Sequence, residues 1–323
     1  MEIKQLKHFL RIAEVGNLTR ASNILGVTQA ALSRQLAQLE AELGAELFRR
    51  NGRGLVLTAA GRRLLDHVPM VLRQITLAER AVKESKEPLR GTLVVGLAPS
   101  LARTVVVPLI RAFRERFPDI TLRTVDGSSA NLGELVGSGK LDCAVIYNPI
   151  PNSTTELHPL TEERLYLISG PQAVREGRIP GRSVALKKLP ELPLVIAGKS
   201  NVVHGVLAAA LAERGLKAQV VHEIENLMAI LDLIRHGYGY SVVPLSGVHP
   251  CIGNPELHLH RIHSPSISCT LSVASPAGNS EDPLLSASIT LLCEVITREL
   301  QLFEDEVEKA IDEQVDVPSG KSR

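Results

Sequence analysis

The stretch from Thr28 to Gly44 constrains this chain most, because it combines clear helix boundaries with an unusual polar face. Thr28 is a residue type that often caps a helix N-terminus, and Gly44 is one that often ends a helix. Four leucines recur at spacings of four, three and four and predict a single apolar face: Leu32, Leu36, Leu39 and Leu43. The opposite face carries small or polar side chains and one cation: Gln29, Ala30, Ser33, Arg34 and Ala37.

This polar face contains no carboxylate before Glu40. A helix that enters the DNA major groove needs such a face, because Arg and Gln reach base edges and small residues allow close approach. A solvated amphipathic helix would show the same leucine spacing. The neighbouring segments therefore have to decide between the two interpretations.

The neighbouring segments predict a winged helix-turn-helix. Residues 2–15 and 18–25 have helical apolar spacing, and Gly26 and Val27 form a turn before the helix described above. Two short β-prone pieces then flank Asn51-Gly52, which is a strong hairpin signal. Three cations crowd this hairpin: Arg49, Arg50 and Arg53. A basic hairpin in this place favours a wing that contacts phosphates or the minor groove, and a solvated charged turn is the alternative.

Charge is unevenly spread along the chain. Residues 1–65 contain ten Lys or Arg and five Glu, which gives 10 − 5 = +5, so the rest of the chain carries +1 − 5 = −4. A basic N-terminal block on a mildly acidic body predicts that the block binds a polyanion and that the body has another task.

Residues 59–88 predict a long linker helix that pairs with a second copy of itself. Six apolar residues alternate at spacings of four and three, which is the seam of a coiled coil: Leu64, Val68, Val71, Ile75, Ala78 and Val82. Pro69 lies inside this segment and is expected to kink or break the helix locally.

From Thr92 onward, predicted strands and helices alternate, which favours open parallel sheets with helices on both faces. We expect two Rossmann-like α/β lobes in a domain over residues 89–304. Lobe I covers about 91–160 and 268–304, and lobe II covers about 161–267. A last helix is predicted at about 283–303, followed by a flexible acidic tail at 305–323.

Several motifs together resemble the LysR-type transcriptional regulators. The N-terminal ones are Thr19-Arg20-Ala21-Ser22, Gln29-Ala30-Ala31-Leu32-Ser33-Arg34-Gln35, Leu39-Glu40-x-Glu42-Leu43-Gly44-x-x-Leu47-Phe48-x-Arg50 and Leu57-Thr58-x-Ala60-Gly61. The body adds Arg90-Gly91-x-Leu93, Leu141-Asp142-x-Ala144-Val145 and Gly237-x-Gly239 before Val243-Pro244. Segments 142–147, 223–226 and 264–268 resemble the subgroup that contains the nitrogen assimilation control protein. The resemblance covers all but the last twenty or so residues.

The resemblance implies a winged helix-turn-helix domain at residues 1–58, with the helix-turn-helix itself from Leu18 to Ala37. It implies a dimer that usually assembles into a tetramer and binds a double-stranded DNA operator. It implies activation or repression of nearby promoters, with RNA polymerase as a partner of an activator. The implied DNA-binding residues are Thr28, Gln29, Ala30, Ser33, Arg34, Gln35, Arg50 and Arg53. Ala30 stands where the family commonly has Pro, which removes some pre-organisation of the helix start.

The resemblance also implies lobes like those of type 2 periplasmic binding proteins, with a small effector in the cleft between them. In parallel sheets, ligands bind beyond the carboxyl ends of strands, near helix N-termini that favour anionic groups. The candidate effector residues are Ser100, Leu101, Ser128, Ser129, Tyr147, Asn201 and Asn226. Simple helix capping is the alternative for each Ser and Asn. We expect a small polar or anionic ligand, and since only Arg103 and Lys199 adjoin these loops, a multiply charged anion is not strongly indicated. An effector-independent regulator remains the alternative.

Other functional classes find less support. The chain has no G-x-S-x-G elbow, P-loop or H-E-x-x-H motif, so we expect no enzyme and no cofactor. His258-x-His260-x-x-His263 places two imidazoles on one strand face, but without nearby acidic or Cys partners we expect no metal site. Four scattered cysteines indicate a reducing compartment.

A small-solute-binding protein of the periplasm is the second alternative class. Residues 1–5 lack the apolar core of a signal peptide, and no apolar run is long enough to span a bilayer. Together with the basic N-terminal block, these features predict a cytoplasmic protein without a membrane partner.

Overall fold

The structure is a computed structural model that describes residues 1–52, 54–82, 89–175, 179, 181–278 and 282–314. It contains two compact units. Residues 1–82 belong to the N-terminal unit, and nearly all described residues from 89 onward belong to the C-terminal unit. Each unit has its own buried apolar core.

The N-terminal unit is the predicted winged helix-turn-helix followed by a long helix. Its elements are α1 (Ile3–Val15), α2 (Leu18–Leu25), α3 (Gln29–Leu43), β1 (Phe48–Asn51), β2 (Gly54–Leu57) and α4 (Ala59–Val82). This confirms the predicted fold class of the unit. The predicted end of the linker helix, at 83–88, lies outside the described residues.

Helix α3 has the boundaries that its sequence predicts. The Thr28 hydroxyl oxygen accepts a hydrogen bond from the Ala31 amide at 3.2 Å, and Gly44 ends the helix in the left-handed conformation. Leu32, Leu36 and Leu39 are buried, but Leu43 is exposed. The predicted apolar face is therefore one residue shorter, because Leu43 lies at the helix end, beyond the core.

Two glycines allow the compact connections of this unit. Gly26 has φ +65° in the turn between α2 and α3, a conformation in which a side chain would be strained. At Gly61, a Cβ atom would lie 2.1 Å from the Leu47 carbonyl oxygen. Helix α4 therefore begins in close backbone contact with the residue that precedes β1.

The β1–β2 hairpin pairs Arg49 with Val56, Arg50 with Leu55 and Asn51 with Gly54. Asn51 thus belongs to the first strand and not to the turn in which the hairpin signal places it. Because successive side chains of a strand point to opposite faces, Arg49 and Arg50 lie on different sides of the hairpin.

The first half of α4 belongs to the core of the N-terminal unit. Val68 is 1% exposed and packs in the cluster that contains Leu6 and Phe9, and Leu64 is partly buried against the same cluster. The predicted coiled-coil seam is therefore wrong at Val68, because its own domain already covers this side chain, and Leu64 is covered only in part. Helix α4 also continues through Pro69 without the predicted break.

Lobe I of the C-terminal unit is an α/β sandwich. Its elements are β3 (Gly91–Leu97), α5 (Pro99–Arg116), β4 (Ile120–Asp126), α6 (Ser129–Gly137) and β5 (Cys143–Tyr147), with the strands in the parallel order β4-β3-β5. Alternate residues of β5 face different helices: Val145 packs in the cluster of α5, and Ala144 packs in that of α6. This confirms the prediction of helices on both faces of the sheet.

Lobe II repeats this plan. Strand β6 (Thr155–Ser169) leads into it. The elements that follow are α7 (Pro171–Arg175), β7 (Ser183–Ala185), a 3-10 helix (Leu186–Glu191), β8 (Leu194–Ile196), α8 (Val202–Ala212), β9 (Val220–Glu223), α9 (Leu227–Arg235), β10 (Tyr240–Pro244), α10 (Leu245–Val248), a second 3-10 helix (His249–Cys251) and β11 (His258–His263). Strands β10, β8 and β9 are parallel neighbours, and β6 pairs antiparallel with β10 and β11.

Two strands connect the lobes. Residues 155–164 of β6 pair with β12 (Ser268–Pro276) beside β5 of lobe I, whereas the end of β6 pairs with β10 and β11 of lobe II. The chain then ends its described part in helix α11 (Pro283–Glu313).

Helix α11 corrects the prediction of a helix that ends near residue 303 and a flexible tail from 305. It continues to Glu313 because Phe303, Val307 and Ile311 recur every four residues and are all buried in the core. The rest of the predicted tail, 315–323, lies outside the described residues.

Candidate nucleic-acid interface and ligand cleft

Helix α3 presents the predicted polar face to solvent. Gln29, Ala30, Ser33, Arg34 and Ala37 are all exposed, as is Thr28 at the cap. The Gln29 side-chain oxygen accepts a hydrogen bond from the Thr19 hydroxyl at 3.2 Å, so α2 orients this amide. Within the described part of the chain, Arg34 forms no ion pair or side-chain hydrogen bond. Its guanidinium group therefore keeps all of its donors for a partner.

Gln35, a DNA-binding residue implied by the family resemblance, differs from the residues of this face. It is half-buried beside Leu32 and Leu36, and its side-chain oxygen is shielded from solvent with no hydrogen-bond partner among the described residues. The structure therefore removes Gln35 from the exposed face of α3.

The side chain of Glu40 fixes the wing to α3. In the sequence, Glu40 is noted only as the first acid after the polar face. One Glu40 carboxylate oxygen accepts hydrogen bonds from the backbone amides of Leu47 at 2.7 Å and Phe48 at 3.2 Å. The carboxylate thus joins the end of α3 to the start of β1. Arg49 and Arg50 are exposed and form no ion pair among the described residues, and Arg53 lies outside them.

The C-terminal unit contains a cleft between its lobes, with about 830 Å³ of free space including the open mouth. It lies beyond the carboxyl ends of β3, β4, β5 and β8, where the sequence analysis predicts a ligand site. The cleft brings together five of the seven predicted residues: Ser100, Ser128, Ser129, Tyr147 and Asn201.

Leu101 and Asn226 do not line the cleft, which corrects the prediction for both. Leu101 is fully buried in the core of lobe I, one position past the residue that faces the cleft. The Asn226 side chain accepts a hydrogen bond from the Ala229 amide at 3.1 Å and caps α9. Its neighbours Glu225 and Leu227 line the cleft instead.

Some polar residues of the cleft also serve the backbone. Asn201 caps α8 by accepting from the Val203 amide at 2.9 Å, and the Ser129 hydroxyl accepts from the Tyr147 amide at 3.0 Å. Helix α5 is different, because Ala98 at its cap position supplies no side-chain acceptor. The start of α5 therefore offers backbone donors at the cleft wall.

A buried polar network lies behind the cleft at Tyr147. The Tyr147 hydroxyl donates to Glu163 at 2.7 Å and lies 3.1 Å from the Ser246 hydroxyl and 3.4 Å from that of Ser100. The Ser246 amide donates to the other Glu163 oxygen. Burial raises the pKa of Glu163, against the hydrogen bonds from Ser246 and Tyr147, and burial together with Glu163 raises the pKa of Tyr147.

Sequence reasoning misses Glu163 because an acid in a strand is usually solvated. It also misses His204 and Ser241, which line the cleft. Ser241 is buried, and its hydroxyl has no hydrogen-bond partner among the described residues. The Nδ1 atom of His204 lies 3.0 Å from the Ala197 carbonyl oxygen and donates to it, which leaves Nε2 as an acceptor. The described residues that line the cleft include neither Lys nor Arg.

The three histidines of β11 do not form a ligand set. The ring nitrogens of His260 are both engaged, Nε2 with the Ser169 hydroxyl at 2.8 Å and Nδ1 with the Gly181 carbonyl oxygen at 2.9 Å. Burial lowers the pKa of His260 to about 4, so this ring is neutral at physiological pH. In the part of the chain that the structure describes, no three His, Cys, Asp or Glu side chains are grouped to hold a metal ion. The described helices also include none that is long and apolar enough to cross a membrane.

Both units match known families. Residues 3–62 match the family of bacterial regulatory helix-turn-helix proteins of the lysR type, and residues 86–296 match the LysR substrate binding domain. The nitrogen assimilation regulatory protein nac of Klebsiella aerogenes is 32% identical over 299 residues, which is 92% of this chain and 96% of that protein. The protein of the same name from Escherichia coli strain K12 is 33% identical over 298 residues, with the same coverage.

Solved structures share the fold over nearly the full length. A full-length OxyR variant from Pseudomonas aeruginosa has a TM-score of 0.74 and 21% identity and covers 94% of this chain and 95% of its own. Full-length CbnR in complex with its target DNA has a TM-score of 0.66 and 24% identity and covers 93% of this chain and 100% of its own.

Proposed function

Because this chain belongs to the LysR family of DNA-binding transcriptional regulators, with a helix-turn-helix and a substrate-binding domain, we propose how each unit performs its part. We propose that α3 and the wing bind a DNA operator and that the cleft between the lobes binds a small effector. The protein acts in the cytoplasm and carries no catalytic activity of its own.

The observation that carries the DNA proposal is the exposed, acid-free face of α3 with the unpaired Arg34. Arg34 and Gln29 have the donors and acceptors that major-groove base edges match, and Ala30 and Ser33 let the helix come close to the bases. Arg50 of the wing contacts phosphates, which positions the helix but adds little sequence preference. The nac relatives and the helix-turn-helix match support this assignment.

Helix α4 is the proposed dimer contact, in a shorter form than its heptad pattern predicts. Val71 is exposed, and together with Met70, Ile75 and Ala78 it lines an open apolar groove on α4. The side chain of Val82 lies outside the described residues. Two copies joined along this stripe present two recognition helices to half-sites about 34 Å apart, or a multiple of that. A tetramer of two such dimers, and contact with RNA polymerase at activated promoters, complete the proposal.

The effector proposal rests on two polar features of the cleft wall. The Ser241 hydroxyl is buried without a hydrogen bond among the described residues, and α5 begins without a side-chain cap. A buried polar group without a hydrogen bond lowers stability. A ligand that bonds to the Ser241 hydroxyl and to the start of α5 would therefore gain affinity from both. The mainly apolar wall and the helix start favour a small molecule with one carboxylate or a similar polar group.

A footprint of the protein on the DNA upstream of its own gene, at several salt concentrations, tests the DNA proposal. We expect protection of two or more patches on one face of the DNA, with affinity that falls steeply as salt rises. If no site is protected at low salt, a genome-wide binding map decides between a distant operator and an absent one. Absence of any preferred site in that map would contradict the proposal.

A panel of small carboxylic acids and amino acids, scored by the shift of thermal unfolding, tests the effector proposal. Ser128→Phe places a large side chain in the cleft wall, and Ser153→Phe is its matched control because it adds the same side chain at an exposed position outside the cleft. A compound that stabilises the wild type and Ser153→Phe but not Ser128→Phe supports a cleft effector. Operator binding that responds to no compound would favour the effector-independent regulator.

A further inference from the structure

The final part of α11 leaves lobe I and packs on lobe II. Up to about residue 296 the helix lies on lobe I, where Leu292 and Val295 are buried and Glu294 pairs with Arg116 of α5 at 3.4 Å. Beyond Phe303, its partners lie on β11, on the lobe II end of β6 and in the segment after α10. We call residues 304–314 the strap.

Polar contacts hold the strap along one side. The Tyr166 hydroxyl of β6 donates to a Glu308 carboxylate oxygen at 2.9 Å. Arg261 of β11 donates to the other Glu308 oxygen, to the Glu308 carbonyl oxygen at 3.0 Å and to Asp312 at 2.8 Å. One guanidinium group of lobe II therefore binds three acceptors on two successive turns of the helix.

At the end of the strap, the Gln314 side chain bonds to the backbone of β11 as a neighbouring strand would. The Gln314 side chain accepts from the Leu259 amide at 3.2 Å and donates to the Leu259 carbonyl oxygen at 3.3 Å. Arg182 donates to the backbone carbonyl oxygen of Gln314 at 3.0 Å. These bonds fix the point at which the strap ends on lobe II.

The apolar side of the strap packs against the protein core. Val307 and Ile311 are fully buried, one and two turns beyond Phe303. The His249 ring stacks on Phe303 with ring centroids 3.9 Å apart, and its Nε2 atom lies 2.7 Å from a Glu306 carboxylate oxygen. A segment with both buried apolar residues and side-chain hydrogen bonds is held as firmly as a core element.

A rigid helix bound to both lobes limits their relative motion. Two strands, β6 and β12, connect the lobes, and two-strand connections allow hinge closure around a ligand. Helix α10 of lobe II also packs on α5 of lobe I, and its Ser246 hydroxyl lies 3.1 Å from that of Tyr147. Helix α11 is about 46 Å long at 1.5 Å per residue, and its two ends are fastened to different lobes. Rotation of lobe II toward lobe I must therefore break the strap contacts or carry the end of the helix along.

We propose that the strap holds lobe II at a fixed angle to lobe I and so sets the resting width of the cleft. The strap lies beyond residue 296, where the match to the LysR substrate binding domain ends. The family match therefore does not cover the strap. The proposal does not depend on an effector, because it concerns the spacing of the lobes in the protein alone.

Hydrogen–deuterium exchange of the full chain and its variants tests the strap. One variant ends after residue 303 and lacks the strap, and its matched control ends after Gln314 and keeps it. Arg261→Gln removes the central ion pairs without truncation. Its control, Lys309→Gln, removes a cation of the strap that pairs with Glu313 of the same helix at 3.8 Å. Peptides that cover the cleft loops at 127–129 and 198–203 report opening, and residues 93–97 in the core of lobe I report stability.

We expect the cleft loops to exchange about tenfold faster in the strapless variant and in Arg261→Gln, with residues 93–97 unchanged. Both controls should match the wild type. Cleft loops that exchange at the wild-type rate without the strap would overturn the proposal. Equal acceleration in the cleft loops and at 93–97 would also overturn it, because the strap would then only stabilise the fold.

Discussion

The exposed face of α3 and the wall of the cleft use their polar side chains in opposite ways. On α3, Arg34 points into solvent and has no partner in the described part of the chain. In the cleft, Tyr147 bonds to Glu163 and Ser246 before any ligand arrives. A substitution on α3 should therefore change binding and leave stability intact, whereas one in the cleft wall should change stability even without a ligand.

Arg34→Ala is expected to give the largest effect and to separate binding from stability on α3. Loss of a base-contacting arginine should weaken operator binding by about 1–3 kcal/mol, roughly 5- to 150-fold, and reduce selectivity. Titration of operator and scrambled DNA measures both. Arg11→Ala is the control, because Arg11 is exposed in the same unit but already pairs with Glu14 at 2.7 Å. Full affinity and selectivity in Arg34→Ala would remove this residue from the interface.

Glu163→Gln tests the cost of the buried acid in the cleft wall. Burial raises the pKa of Glu163 in the folded protein above its ordinary value of 4.5, so the native state binds this proton more tightly than the unfolded state. The wild type should therefore lose stability relative to Glu163→Gln as the pH rises above 4.5 and passes the raised pKa. A charge costs more to bury than a dipole, so this effect should exceed that of the serine variants below.

Urea unfolding of both proteins between about pH 4.5 and 8 measures the difference in free energy of unfolding. Glu162→Gln is the control, because Glu162 is the exposed neighbour on the same strand. A difference between the wild type and Glu163→Gln that stays constant with pH would show that Glu163 is not held in this environment.

Two serines of the cleft region should respond in opposite directions to the same substitution. Ser241→Ala removes a buried hydroxyl that has no partner among the described residues and should raise the free energy of unfolding by about 1 kcal/mol. Ser246→Ala removes a hydroxyl that bonds to Tyr147 and should lower the free energy of unfolding by about 1 kcal/mol. Thermal or urea unfolding without added ligand measures both. If both substitutions changed the free energy of unfolding in the same direction, the predicted difference between the two serines would be wrong.

The wing should show the smallest effect and no sequence preference. Arg50→Ala should reduce the slope of log affinity against log salt by about one, similarly for operator and scrambled DNA. Arg49→Ala should reduce the slope less, because Arg49 lies on the other side of the hairpin. Arg116→Ala is the control, since Arg116 is an exposed cation of the C-terminal unit that pairs with Glu294. An unchanged slope in both wing variants would place the wing away from the phosphates.

Local sequence patterns were enough to predict the boundaries and the polar face of α3, because these features depend on residues within the helix. The cap at Thr28, the stop at Gly44 and the leucine spacing each depend on a few neighbouring residues. The structure confirms the cap, the stop and the burial of three of the four leucines. The same method failed for Val68, whose burial depends on the packing of other elements against it. A heptad spacing cannot tell a partner helix from the chain's own core, since both bury the same stripe.

The sequence by itself determined the two-unit plan, the recognition helix and the loops that reach the cleft, because periodicity, caps and family motifs are local signals. Only the tertiary structure decided which residues line the cleft. It removed Leu101 and Asn226, added Ser241 and His204, and placed Glu163 behind Tyr147. It also turned the expected tail into a strap, because Val307 and Ile311 find an apolar surface on a lobe distant in sequence. Contacts between residues far apart along the chain carry no local signature, so the geometry of the cleft and its strap had to come from the fold.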